Sequence, residues 1–222
     1  MGVPLKVGVL ISGRGSNLQA LIDACEAPGF PAAIVLVISN VAQAAGLTRA
    51  EKAGIPSAVI EHGRFATREA FDASLDAALR EKGVDLVCLA GFMRVLSEGF
   101  IAAWAGKIIN IHPSLLPSFR GLRTHERAIE TGERLHGCTV HFVTPELDAG
   151  PIILQARVPV RPNDDAAILA ARVLKAEHRC YPLALRLIAE GRVHVESGRV
   201  RIDDDARPAI EALDVDSIRD AQ

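Results

Sequence analysis

The sequence predicts an α/β fold: a mostly parallel sheet flanked by helices, with a small C-terminal hairpin. Three observations lead there. Through the first half of the chain, apolar runs of strand length alternate with longer stretches of helical spacing, the pattern of right-handed β-α-β units. Hydrophobic residues make up 49% of the chain and aromatics only 4%, so the core rests on Val, Ile, Leu and Ala, as in parallel sheets covered on both faces. The length of 222 residues suits one domain of this class with at most a small extension.

The elements follow in order. Residues 7–11 form a short apolar run bounded by Gly13, which suits a buried strand. A loop, Ser12-Gly13-Arg14-Gly15-Ser16-Asn17, leads into helical spacing over 18–27. Residues 33–38 make a second strand, closed by Ser39-Asn40. Helical spacing over 44–53 stops at Gly54, a C-terminal stop signal, and 57–60 is a short strand. Residues 67–82 form an amphipathic helix, with Thr67 as N-cap, Glu69 in the first turn and Gly83 closing it. Residues 84–90 are the clearest buried strand, followed by Gly91-Phe92-Met93-Arg94.

A helix over 97–105 precedes a strand over 107–111, and a loop rich in Pro and Gly fills 113–121. Residues 123–131 have helical character, and strands over 138–143 and 152–160 flank Thr144-Pro145-Glu146-Leu147-Asp148-Ala149-Gly150. A long helix over 164–190, started by Asn163 or Asp164, ends at Gly191. Residues 192–202 read as a hairpin turning at Ser197-Gly198. One domain is therefore expected over 1–202. Residues 203–222 are acidic and aperiodic and are expected to be a weakly ordered tail.

Composition excludes several classes. A formal net charge of -2 gives no basic excess for nucleic acid or an anionic membrane. Cys25, Cys88, Cys138 and Cys180 form no C-x-x-C pair, which argues for reduced, buried thiols rather than a zinc knuckle. No basic region leads into a long apolar stretch near Met1, so neither a signal peptide nor a membrane span is expected.

Gly13-x-Gly15 between a strand and a helix invites a dinucleotide reading. Its third glycine is missing, with Leu18 in that place, and Ser39-Asn40 stands where an acid for a ribose diol belongs. No Gly-Lys-Ser/Thr follows, so a Walker loop is also excluded. The backbone amides of Gly15, Ser16 and Asn17 at a helix N-terminus would still favour a dianionic phosphate. A tight turn with an N-cap fits equally well, and the loop alone does not choose.

Asn110 and His112 end an apolar strand, and alternation puts both on one side with Ile111 facing away. The carboxyl ends of strands are where α/β sheets bind ligands. A lone histidine at a strand end is more often satisfied locally, and Asp148 before Ala149-Gly150 is ordinary turn composition.

Taken together, the motifs are more selective. Ile11-Ser12-Gly13-Arg14-Gly15-Ser16-Asn17-Leu18, Ala90-Gly91-Phe92-Met93-Arg94-Val95-Leu96, Asn110-Ile111-His112-Pro113-Ser114-Leu115-Leu116-Pro117 with Gly121, the stretch from His141 to Pro151, and Glu177-His178 with Tyr181-Pro182 run in order through most of the chain. In that combination the chain resembles the phosphoribosylglycinamide formyltransferase family.

The resemblance implies a Rossmann-like formyltransferase fold. It implies transfer of a formyl group from 10-formyltetrahydrofolate, a co-substrate, to the amine of phosphoribosylglycinamide, with no metal required. It implies catalytic roles for Asn110, His112 and Asp148. Gly15, Ser16 and Asn17 would grip the ribose phosphate, with Glu177 near the glycinamide end. Arg68, Met93, Arg94, Val95, Leu96, Asn110 and the loop of Thr144, Pro145, Glu146, Leu147 and Asp148 would hold the folate. Small-molecule substrates, a cytoplasmic location, and a monomer or weak homodimer complete the expectation. In such a site Asp148 near His112 would favour the imidazolium by Coulomb attraction.

Overall fold

The computed structural model describes residues 2–219. Two compact units divide it, residues 1–110 and 111–222. The first unit contains strands β1 (Leu5–Ile11), β2 (Ala32–Ser39), β3 (Ser57–Val59), β4 (Leu86–Leu89) and most of β5 (Ile108–His112), interleaved with helices α1 (Ser16–Glu26), α2 (Ala45–Lys52), α3 (Arg68–Glu81) and α4 (Glu98–Ala103). The strand order is β3-β2-β1-β4-β5, all parallel.

The central strands β1 and β4 are short and apolar and are buried on both faces, whereas the edge strand β3 is mostly exposed. In β1, Val7, Val9, Leu10 and Ile11 are fully buried. At their carboxyl ends the polar loops begin, after Ile11, Ser39 and Leu89. The expected cap is made, as the Ala70 N–H donates to the Thr67 hydroxyl, and a second is found where the Phe100 N–H donates to that of Ser97. Each such cap is worth about 1 kcal/mol.

The second unit starts within β5 and continues the order through β6 (Leu135–Phe142) and β7 (Ile152–Pro159), which are antiparallel to each other. It also holds α5 (Thr124–Glu130), α6 (Ala166–Ala189), the hairpin of β8 (Val193–Glu196) and β9 (Arg199–Ile202), and α7 (Arg207–Arg219). The fold is thus the mostly parallel, helix-flanked sheet that the alternation predicts, with its C-terminal hairpin turning at Ser197 and Gly198.

Two expectations need correction. The cap of α6 is Asp165, which accepts from the Ile168 N–H at 2.8 Å. Asp164, expected as a cap, instead makes a bidentate ion pair with Arg172, at 2.6 and 2.8 Å. The guanidinium holds the Asp164 carboxyl below its ordinary range. Secondly, the segment after Asp203 is helical over Arg207–Arg219 rather than aperiodic. Ala206 and Leu213 are buried and Ile210 is half-buried, spaced as one helical stripe. An ion pair of Arg192 with Asp205, at 2.6 Å, fastens the start. Residues 220–222 of the expected tail lie outside the described residues.

No helix among the described residues is long and apolar enough to cross a membrane.

Candidate active site

In the second unit, β5 delivers His112 to the start of the 113–123 loop, where the residue is only 5% exposed. That loop is fastened to β6 and β7. The Thr139 hydroxyl donates to the Ser114 carbonyl at 2.6 Å and accepts from the Leu116 N–H at 3.0 Å. The Gln155 amide donates to the Leu116 carbonyl at 2.9 Å. So held, the loop turns its Phe119 carbonyl onto His112 Nε2, at 3.0 Å.

The other ring nitrogen, Nδ1, faces Asp148 Oδ2 at 3.5 Å. That is longer than a hydrogen bond but close enough for strong Coulomb coupling in a site where both side chains are under 10% exposed. The Asp148 carboxylate is itself pinned. Its Oδ2 accepts from the Gly121 N–H at 2.9 Å, and its Oδ1 lies 3.8 Å from His141 Nε2. Asp148 has φ 49°, in the left-handed region. Gly150, two residues on, approaches so closely that a Cβ there would overlap the Phe142 carbonyl oxygen.

His141 and the Gly121 amide are therefore parts of the arrangement that residue-by-residue reading missed. His141 lies within the quoted stretch from His141 to Pro151 and faces Asp148 from β6. Gly121 belongs to the motif that begins at Asn110, but it acts through its backbone N–H, a role its residue type does not announce.

Three more histidines crowd this region, and burial is the main cause pushing each towards its neutral form: His125, His136 and His141. His136 goes furthest, from 6.5 down to about 4, although the Pro113 carbonyl partly opposes the shift. The consequence for stability has a definite sign. Between those two values the unfolded chain binds a proton at His136 that the folded chain refuses. Stability should therefore fall as pH drops from about 6.5 towards about 4 and level off below. Urea midpoints measured across that window should decline less steeply for His136→Gln than for the parent. Equal slopes would remove the assignment.

In the first unit, α1 begins at the glycine loop. Gly15 takes φ 71°, and the first turn has no acidic residue and no side-chain cap. Ser12 laces three strand ends together. Its N–H donates to the Gly91 carbonyl at 3.1 Å, its hydroxyl donates to Asn40 Oδ1 at 2.6 Å, and the same oxygen accepts from the Met93 N–H at 2.8 Å. Met93 and Val95 are exposed at 66% and 58%, and Arg68 and Arg94 are exposed as well. Leu96 is 5% exposed and belongs to the core. Asn110 is half-buried on β5.

In the second unit Glu177 is buried on α6, while Thr144, Pro145, Glu146 and Leu147 lie in the partly exposed loop after β6. Glu146 pairs with Arg120 at 2.5 Å.

Comparison with known proteins decides the family. The formyl transferase family model matches residues 5–185. The chain belongs to the formyl transferase family.

The phosphoribosylglycinamide formyltransferase of Escherichia coli (strain K12) is 46% identical over 204 residues, which is 92% of this chain and 96% of that protein. The crystal structure of glycinamide ribonucleotide transformylase 1 from Symbiobacterium toebii superposes with a TM-score of 0.89. Its identity is 50%, covering 92% of this chain and 96% of that one. The human trifunctional purine biosynthetic protein adenosine-3 is 55% identical over 196 residues, 88% of this chain. This formyl transferase spans only about a fifth of that relative, 19% of its length.

Proposed function

We propose that this formyl transferase moves the formyl group of 10-formyltetrahydrofolate to the amine of 5'-phosphoribosylglycinamide, giving N-formyl product and tetrahydrofolate in de novo purine (IMP) synthesis. The observation that carries the reading is the buried pair of His112 and Asp148, 3.5 Å apart, in a chain so similar over most of its length to proteins of that name.

The chemistry is acyl transfer to a neutral amine. The amine attacks the formyl carbon, and a tetrahedral intermediate forms with negative charge on oxygen. The attacking nitrogen then loses a proton and the folate nitrogen gains one as it leaves. The reading assigns the oxyanion to the side-chain N–H of Asn110 and to protonated His112. One such donor typically contributes about 10²- to 10³-fold in rate. Asp148 faces His112 Nδ1, and in this reading the pair carries the proton between the two nitrogens, directly or through water. No covalent intermediate and no metal ion enter this scheme.

Gly15, Ser16 and Asn17 are assigned to the ribose phosphate at the α1 N-terminus, and Glu177 to the glycinamide end. Arg68, Met93, Arg94, Val95, Asn110, Thr144, Pro145, Glu146, Leu147 and Asp148 are assigned to the folate. Leu96, buried beneath its segment, would support the folate by packing. The same reading places the protein in the cytoplasm, as a monomer or weak homodimer, acting on small molecules rather than on nucleic acid or membrane.

The test is acceptor dependence. Purified protein given 10-formyltetrahydrofolate should release tetrahydrofolate only when phosphoribosylglycinamide is present, with one N-formyl product per turnover. Release at the same rate without the acceptor would make the activity hydrolysis and end the proposal.

A further inference from the structure

The glycine loop is held from behind by α2, and the hold has an electrical side. The Gly46 N–H donates to the Gly13 carbonyl at 3.0 Å. Gly15 and Gly46 meet backbone to backbone: a Cβ on Gly15 would lie 2.6 Å from the Gly46 Cα. One helical turn on, the half-buried Arg49 donates from Nε to the Arg14 carbonyl at 2.9 Å and from Nη1 to Gln19 Oε1 at 3.1 Å. The guanidinium is thereby fixed beside the loop and the first turn of α1.

Arg49 makes no ion pair with a carboxylate among the described residues. The nearest acid in its chain of bonds is Asp23, reached only through the Gln19 amide at 2.7 Å. A helix N-terminus already carries about half a positive charge. Here it has no acidic residue in its first turn, and a fixed cation is added to it. Each positive feature disfavours the other in the unliganded chain, and an anion on the loop relieves both.

We propose that Arg49 is a specificity-determining residue: its charge, held at the glycine loop by the Arg14 carbonyl and Gln19, makes the protein prefer a phosphorylated acceptor over the same acceptor without phosphate. Arg49 acts through the loop and is a positioning residue, not a catalytic one. The inference rests on the phosphate assignment of Gly15, Ser16 and Asn17.

The experiment compares kcat/KM for phosphoribosylglycinamide with that for its 5'-dephospho form, in the parent, Arg49→Gln, Arg49→Lys and Asn17→Ala. Arg49→Gln should cut the preference for the phosphorylated acceptor by about five- to tenfold, in line with a charge at a helix end, with the KM for the folate unchanged. Arg49→Lys keeps the charge and should recover most of it. An unchanged preference in Arg49→Gln, an equal fall for both acceptors, or a Lys variant no better than Gln would each overturn the proposal. If Asn17→Ala reduces the preference while Arg49→Gln does not, only the role of Arg49 fails. If neither moves it, the phosphate assignment fails too. As a readout independent of turnover, inorganic phosphate should raise the Tm of the parent more than that of Arg49→Gln. Equal shifts would count against the inference.

Discussion

Asp148→Asn should lower kcat by about 10²- to 10⁴-fold, the range of general acid–base catalysis, while both KM values stay within about threefold. The amide has the size of the carboxylate, and its carbonyl oxygen can keep accepting from the Gly121 N–H, a bond of 2.9 Å. The loop geometry should therefore survive. What disappears is the negative charge 3.5 Å from His112 Nδ1, and with it the acidic acceptor that faces that nitrogen. Asp148→Ala is the poorer probe, because it also leaves a part-buried backbone N–H without its acceptor, a further cost of about 1–3 kcal/mol. Steady-state rates at saturating levels of both substrates decide the matter. A near-parental kcat in a folded Asp148→Asn protein would remove the carboxylate from the mechanism.

The second large effect concerns Gly150. An added methyl group there would overlap the Phe142 carbonyl oxygen and press on the Phe142 carbonyl carbon, with Thr144 Cγ2 also only 3.2 Å away. These are backbone atoms at a strand end, where the Phe142 N–H already bonds the Pro151 carbonyl at 2.9 Å, so they have little room to give. Gly150→Ala should cost at least the upper part of the overpacking range, about 3 kcal/mol. For a chain of this size that corresponds to roughly 6–12 °C in Tm. Because the strain lies two residues from Asp148, kcat should fall alongside Tm, even at temperatures where the variant remains folded. A calorimetric scan beside a rate measurement checks both. A variant with parental Tm and parental kcat would contradict the close approach.

The parallel half of the sheet was legible because each strand is a short apolar run and each helix has its own stop and start signals, such as Thr67 and Gly83. The α6 start was less so. Three successive side chains, Asn163, Asp164 and Asp165, can all cap, and only the position of Arg172 on the folded helix separates Asp164 from Asp165. The helix α7 was hidden by its acidic beginning, which outweighs a sparse stripe of Ala206, Ile210 and Leu213. At the site, His112 and Asp148 stand out through their motifs. The groups that orient them do not. The Phe119 carbonyl and Gly121 amide are present in any residue type, and their role depends on how the 113–123 loop is folded. The contribution of Arg49 likewise depends on α2 lying against a loop some 30 residues earlier, the separation of its bond to Gln19.

The bond between His112 and the Phe119 carbonyl has a consequence for proton traffic. A carbonyl can only accept, so Nε2 must already carry hydrogen, and the neutral ring is left with a single vacancy, at Nδ1 on the Asp148 side. Any proton the imidazole picks up enters by that door. To lend a hydrogen to a substrate oxygen, the ring must then draw it away from the backbone of residue 119 or from the carboxylate, so arrival of substrate and loosening of one of these two grips are the same event.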